Sequence, residues 1–190
     1  MVQNHIKPLT LETFLALPET KPASEFIDRK IVQKPMPLGK HSALQSGISE
    51  LIETEIRERR IACTFPELRC TFNGSSIVPD IAVFVWQRIP TDEDGEIANV
   101  FSIAPDWIIE ILSPGQSIAR VTKKIIHCLE HGTQMGWLVD PVHKSVLIYQ
   151  PQRDIEVVET AEEPQAILSV PSFMTEMTMT IENLFALLQL

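Results

Sequence analysis

No stretch of this 190-residue chain holds the roughly 20 consecutive apolar residues that a membrane helix needs, so none is expected. The first residues, Met-Val-Gln-Asn-His-Ile-Lys-Pro, lack the apolar core of a secretory signal, and export by that route is not expected. Cysteine is scarce. Cys63, Cys70 and Cys128 are odd in number and form no Cys-x-x-Cys pair, which argues against a disulfide framework and for free thiols in a reducing cytoplasm. Positive charge is short as well: 16 Lys and Arg face 25 Asp and Glu, a net charge of −9. That balance argues against broad coating of nucleic acid by phosphate neutralisation, though not against a local basic cleft. The acidity otherwise serves solubility. Neither internal repeats nor a low-complexity tract occurs, so residues 1–190 are expected to form one domain with a sizeable core.

Hydrophobic residues make up 44% of the chain, in the range of globular proteins. Thr10 can cap a short helix over 11–17 that Pro18 ends. Residues 24–33 read as a hairpin or paired short strands. A long helix is expected over 40–60, with Leu44, Ile48, Leu51, Ile52 and Ile56 as its buried stripe. The Arg57-Glu-Arg-Arg60 run suits the negative end of that helix. Strand-like pieces follow at 61–64 and 68–72, and Asn73-Gly74 signals a hairpin turn into the next strand. Residues 88–102 carry Asp92, Glu93, Asp94 and Glu96, but without the framework of a calcium loop they read as a solvated excursion. A third helix is expected over 116–131, strands near 135–139, 144–149 and 155–158, and a last helix from the Thr180 cap through Leu190. Met174, Met177 and Met179 read as core filler.

Two runs organise the rest. Residues 77–85, Ile-Val-Pro-Asp-Ile-Ala-Val-Phe-Val, and residues 105–114, Pro-Asp-Trp-Ile-Ile-Glu-Ile-Leu-Ser-Pro, are almost wholly apolar and of strand length. Such runs belong to strands covered on both faces in a mixed or parallel sheet. Each has one acid in its middle, Asp80 and Glu110. A carboxylate so placed loses several kcal/mol or so of hydration unless a metal, a cation or hydrogen bonds compensate. Two on neighbouring strands can coordinate one hard divalent cation such as Mg²⁺. Phosphodiester hydrolysis at such a site needs an activated water, compensation of the charge on the phosphorane, and a cation near the attacking oxygen.

Pro79-Asp80 followed by Glu110 resembles the PD-(D/E)xK nuclease superfamily, and that resemblance implies an α/β (α+β) restriction-endonuclease-like fold with a mixed central sheet flanked by helices. In most of that superfamily the lysine stands two residues after the second acid, where this chain has Leu112. The chain is most similar in pattern to a bacterial restriction-endonuclease branch whose lysine has moved to the following helix. Glu110-Ile-Leu-Ser-Pro114, Lys124, Gly132 and Trp137-Leu-Val-Asp-Pro141 carry the likeness, which reaches back to Glu25-Phe-Ile-Asp28 and His41. It implies that Asp80, Glu110 and the backbone carbonyl of Ile111 hold Mg²⁺, with Mn²⁺ as a substitute, and that Lys124 orients water. It also implies a DNA substrate and, by analogy with relatives that cut both strands, a homodimer.

Helix geometry bears on the lysine. At about 100° per residue, Ile118, Val121, Ile125 and Leu129 share a buried face, Lys123 points away from it, and Lys124 lies at its boundary. There a lysine runs its stem along the core and delivers its ammonium to a cleft, or else snorkels at the surface. Glu25 is either an auxiliary carboxylate or half of a hairpin salt bridge. His41 is a cap or packing residue unless it meets the site directly.

Two rival functions stand beside hydrolysis of DNA. The missing lysine at position 112 and the acidic surface suit a nuclease fold used only as a binding or assembly module. His127-Cys-Leu-Glu-His131 matches the H-x-x-E-H motif of zinc peptidases, in which two histidines four residues apart share a helix face. A third ligand for such a site is not identifiable in the sequence.

Overall fold

The computed structural model describes residues 9–189, so the expectations for residues 1–8 and for Leu190 lie outside it. Among the described residues ten strands and four α-helices follow one another: α1 (Leu11–Leu15), β1 (Ser24–Ile27), β2 (Lys30–Gln33), α2 (Gly39–Ile56), β3 (Ala62–Pro66), β4 (Cys70–Phe72), β5 (Ser75–Ile77), β6 (Ile81–Val85), β7 (Trp107–Ile111), α3 (Ile118–Leu129), β8 (Met135–Asp140), β9 (Ser145–Tyr149), β10 (Glu156–Glu159) and α4 (Ile181–Ala186). They build two sheets, a small one in the order β2-β1-β5-β4 and a large one in the order β10-β9-β8-β7-β6-β3. In the large sheet β7 and β8 run parallel while the other neighbours are antiparallel. The expected mixed sheet, covered on both faces, is therefore present.

The alternation of strand side chains sends β7 to two different cores. Trp107, Ile109 and Ile111 join Leu44, Ile48, Ile52 and Ile56 of α2, together with Leu184 of α4 and the three methionines, on one face. Ile108 and Leu112 meet Val121, Ile125 and Cys128 of α3 on the other. The three thiols are free and buried. Gly136 on β8 belongs to that second contact: a Cβ there would lie 2.3 Å from Cγ2 of Ile125, so only glycine lets helix and sheet approach this closely.

Several sequence expectations change. Residues 77–85 are not one strand. Val78, Pro79 and Asp80 interrupt the run, so β5 joins the small sheet and β6 the large one, and Asp80 immediately precedes β6 rather than lying mid-strand. Proline explains the break, because it donates no ladder hydrogen bond and restricts the residue before it. The Asn73-Gly74 turn, with φ values of 43° and 76°, closes the β4–β5 hairpin and so leads into β5, not into the strand that follows Asp80. Helix α2 ends at Ile56 with Arg57 as its cap, so the remaining arginines of the run follow the helix instead of filling its last turn. Leu51 is exposed, outside the stripe.

Candidate active site at the junction of the two sheets

Six elements deliver side chains to one buried place between the sheets. Antiparallel pairing of β6 with β7 sets Ile81 opposite Ile109, and the same register one step further brings Asp80 across from Glu110. Both acids are buried, 2% and 1% exposed. Strand β1 adds Glu25, α2 adds His41, and α3 adds Lys124, all buried. Lys34, the residue that follows β2, completes the group.

Lys124 is wholly buried, which corrects the boundary position expected for it. The inward face of α3 is Val121, Lys124, Ile125 and Cys128, while Ile118 is 47% exposed. Helix phase is set by what the opposite wall offers, and here that wall offers carboxylates as well as methyl groups. Nζ of Lys124 lies 2.8 Å from Oε2 of Glu110 and 2.9 Å from Oε1 of Glu25. Glu25 also accepts a 2.8 Å hydrogen bond from the backbone N–H of Val78, so it belongs to this cluster and not to a hairpin salt bridge. Lys123 is exposed, as its phase predicted.

Asp80 has its own cation. Lys34 Nζ stands 2.6 Å from Oδ1 and also donates to the carbonyl of Val78 at 2.9 Å. Oδ2 accepts from the backbone N–H of Ile111 at 2.7 Å and lies 3.1 Å from Nε2 of His41. Gln45 donates to the Asp80 carbonyl at 2.8 Å. Ile111 is thus at the site through its N–H, and His41 meets the first acid directly. Lys34 and Gln45 were not singled out from the sequence. Lys34 is one polar residue ahead of Pro35, and only the docking of the hairpin onto α2 and β6 shows its target.

Charge decides the character of the place. Three buried carboxylates, Glu25, Asp80 and Glu110, meet two ammonium groups, Lys34 and Lys124. Burial opposes the charge on Asp80, but the hydrogen bond from His41 and the nearby Lys34 outweigh it and hold the carboxyl below its ordinary range. Burial likewise opposes the charge on Lys124, and Glu110 with Glu25 more than offsets it, raising the ammonium above its usual value. With one carboxylate more than there are ammonium groups, the cluster resists a third ionised acid, and burial pushes the Glu110 carboxyl up to about 8 despite Lys124.

These residues fit a hard divalent cation. The donors are carboxylate oxygens, the site is one positive charge short, and Oε1 of Glu110 is buried without a hydrogen-bond partner among the described residues. Among those residues, however, no three ligand atoms from Glu25, His41, Asp80 and Glu110 come within 4.8 Å of one another, for the ammonium groups stand between them. Leu112, at the position where a lysine is usual, is buried among Val121 and Ile125. Beside the cluster lies a hollow lined by Asp28, Lys30, Ser117, Arg120 and Lys123, where three cations outweigh one acid on an otherwise acidic protein.

Residues 11–182 match the Uma2 family, described as "Putative restriction endonuclease". The chain belongs to this family. The resemblance carried by Asp80, Glu110 and Lys124 agrees with Uma2 membership. The chain is also similar to the crystal structure of a "putative nuclease belonging to DUF820" from Anabaena variabilis, with 58% sequence identity and a TM-score of 0.92 over 95% of this chain and 99% of that one. Comparison with the curated proteins gives no match. The Uma2 assignment covers the elements that supply all six side chains of the site, from Glu25 on β1 to Lys124 on α3.

Proposed function

We propose that this protein is an endodeoxyribonuclease that hydrolyses phosphodiester bonds with Mg²⁺, for which Mn²⁺ can substitute. One observation carries the reading: two buried acids, 30 residues apart, lie opposite each other, Asp80 just before β6 and Glu110 on β7, with the Lys124 ammonium 2.8 Å from the second of them. Family membership and the similarity to a nuclease support it. In this reading Asp80 and Glu110 hold the cation with the Ile111 carbonyl, while Glu25 acts through Lys124. When bound, the cation supplies charge compensation at the phosphorane and lowers the pKa of the attacking water.

The chain's own groups do the rest. Glu25 and Glu110 fix the Lys124 ammonium from two sides, leaving its third proton to orient a water for attack on phosphorus. As that water gives up a proton to solvent and forms its new P–O bond, the ester P–O bond breaks, the leaving oxygen takes a proton from solvent, and the ammonium offsets charge on the transferring group. His41 and the Ile111 N–H hold Asp80 in a single orientation. Lys30, Arg120 and Lys123 offer phosphate contacts that position the duplex without reading its sequence. Cleavage of both strands asks for two such sites, hence a homodimer.

Nicking of supercoiled plasmid with Mg²⁺ and with Mn²⁺, across a range of salt, tests the reading. Wild-type protein is expected to nick only with the cation, and Glu110→Ala to be inactive. A second reading rests on the lysines themselves: Lys34 and Lys124 already neutralise most of the cluster, as they would in a module that binds no metal and cuts nothing. Calorimetric titration with Mn²⁺ separates the two. Binding by wild type that Asp80→Ala loses supports the nuclease, whereas no heat from either protein supports the module.

A further inference from the structure

The end of α3 and the turn that follows it carry groups that hydrolysis at the acid pair does not use. His127, Glu130 and His131 each offer one ligand atom, and these atoms all lie within 4.8 Å of one another. A helical turn explains the grouping, since positions i, i+3 and i+4 share a face. Phe72 of β4 braces the rings. It stacks on His127 with centroids 5.0 Å apart and planes at 17°, and the His131 ring lies 4.6 Å from that of His127.

Two details concern the nitrogens. Nδ1 of His131 is 2.7 Å from the backbone carbonyl of His127. A carbonyl only accepts, so this nitrogen carries the proton and Nε2 of the neutral ring keeps its lone pair. Ligating imidazoles are commonly oriented by such a bond. Independently, Nε2 of His127 is buried and has no hydrogen-bond partner among the described residues.

We propose that His127, Glu130 and His131 bind one divalent ion of the zinc class, at a site separate from Asp80 and Glu110. Two imidazoles and a carboxylate select zinc over magnesium, which prefers oxygen donors and water. The third ligand that could not be found in the sequence is Glu130, the acid inside the motif itself. In a tetrahedral shell with bonds of about 2.0–2.1 Å the donor atoms stand about 3.3 Å apart, so small rotations of exposed or half-buried side chains close the site. Glu130 is exposed, which leaves a fourth position open to solvent. The ion clasps the last turn of α3, directly after the turn that supplies Lys124, and so steadies the helix on which the ammonium depends.

The test uses untagged full-length protein stripped of metal, titrated calorimetrically with Zn²⁺ in millimolar Mg²⁺ and followed by visible absorption with Co²⁺. One Zn²⁺ per chain is expected, undisplaced by Mg²⁺, together with the intense visible bands of low-coordinate Co²⁺. Zn²⁺ should raise the melting temperature of the wild type. Loss of a direct ligand costs at least what loss of an outer partner does, so His127→Gln and His131→Gln should each weaken binding by about 10–100-fold or more. His143→Gln, at a histidine far along the chain on an exposed turn, should leave it unchanged. Should a histidine variant fail to fold, Glu130→Gln serves: its side chain is exposed, and binding should drop severalfold with the circular dichroism spectrum intact. The proposal is overturned if wild type takes up no Zn²⁺, if Mg²⁺ displaces it, or if binding survives His131→Gln and Glu130→Gln unchanged. None of these outcomes depends on nuclease activity.

Discussion

Nζ of Lys34 stands 2.6 Å from Oδ1 of Asp80, across 46 positions of sequence. With Lys124 set between Glu25 and Glu110, this pairing divides the carboxylates of the junction between two ammonium groups. A divalent cation that uses Asp80 must therefore compete with Lys34, and the consequences can be measured.

Lys34→Met should bind Mn²⁺ more tightly than wild type in calorimetry, because the competing charge is gone. The same change leaves Asp80 buried with only His41 and the Ile111 N–H as partners, so the metal-free protein should lose about 3–5 kcal/mol in denaturant unfolding. Weaker Mn²⁺ binding would mean that Lys34 helps to build the cation site.

Lys124→Ala should abolish plasmid nicking while keeping most of the affinity for Mn²⁺, whereas Glu110→Ala should lose both. Lys123→Ala, altering an exposed side chain, should leave both in place apart from a shallower salt dependence of DNA binding. An inactive Lys123→Ala beside an active Lys124→Ala would show that the wrong lysine has been assigned.

Gly136→Ala tests the helix-to-sheet contact that positions Lys124. The added methyl would meet Cγ2 of Ile125 at 2.3 Å and Cγ2 of Ile108 at 3.3 Å. Overpacking of this kind costs about 1–3 kcal/mol, visible as a lower melting temperature. Because Ile125 adjoins Lys124, nicking should fall more than Mn²⁺ affinity does.

Glu53 offers a pH test away from the site. Burial raises its carboxyl, but hydrogen bonds from the Thr64 N–H at 2.5 Å and hydroxyl at 2.7 Å prevail and hold it below its ordinary value. A depressed folded-state pKa contributes stability above the unfolded value, about 4.3, and loses it as pH falls through the folded value. Glu53→Gln should therefore be less stable than wild type at neutral pH, by about 1 kcal/mol. The gap should narrow on acidification below about pH 4.3, as unfolding curves at several pH values would reveal.

The strand pattern of the core was legible because residues 107–111 and 135–140 are apolar at every position but one or two, and a run of that kind is stable only when covered on both faces. The acid pair was legible for the same reason: a charge stands out against such a background. Helix phase was less so. Periodicity placed Ile118 inside and Lys124 at the edge, and the reverse holds because the wall facing α3 includes Glu25 and Glu110. Hydrophobicity alone cannot register a partner of opposite charge. The break at Val78-Pro79-Asp80 was also missed, although the proline that causes it is visible, because either side of it is strand-like on its own.

By itself the sequence determined that β6 and β7 are interior strands, that Asp80 and Glu110 are out of place there unless compensated, and that Lys124 follows on a helix. What compensates them was decided by the tertiary structure. Lys34, His41 and the Ile111 amide reach Asp80, and Lys124 reaches Glu110, from separate elements, and such contacts leave no periodic trace in the chain. Local pattern records what a residue's own strand or helix requires, while electrostatic pairing in a buried junction depends on how those elements are docked.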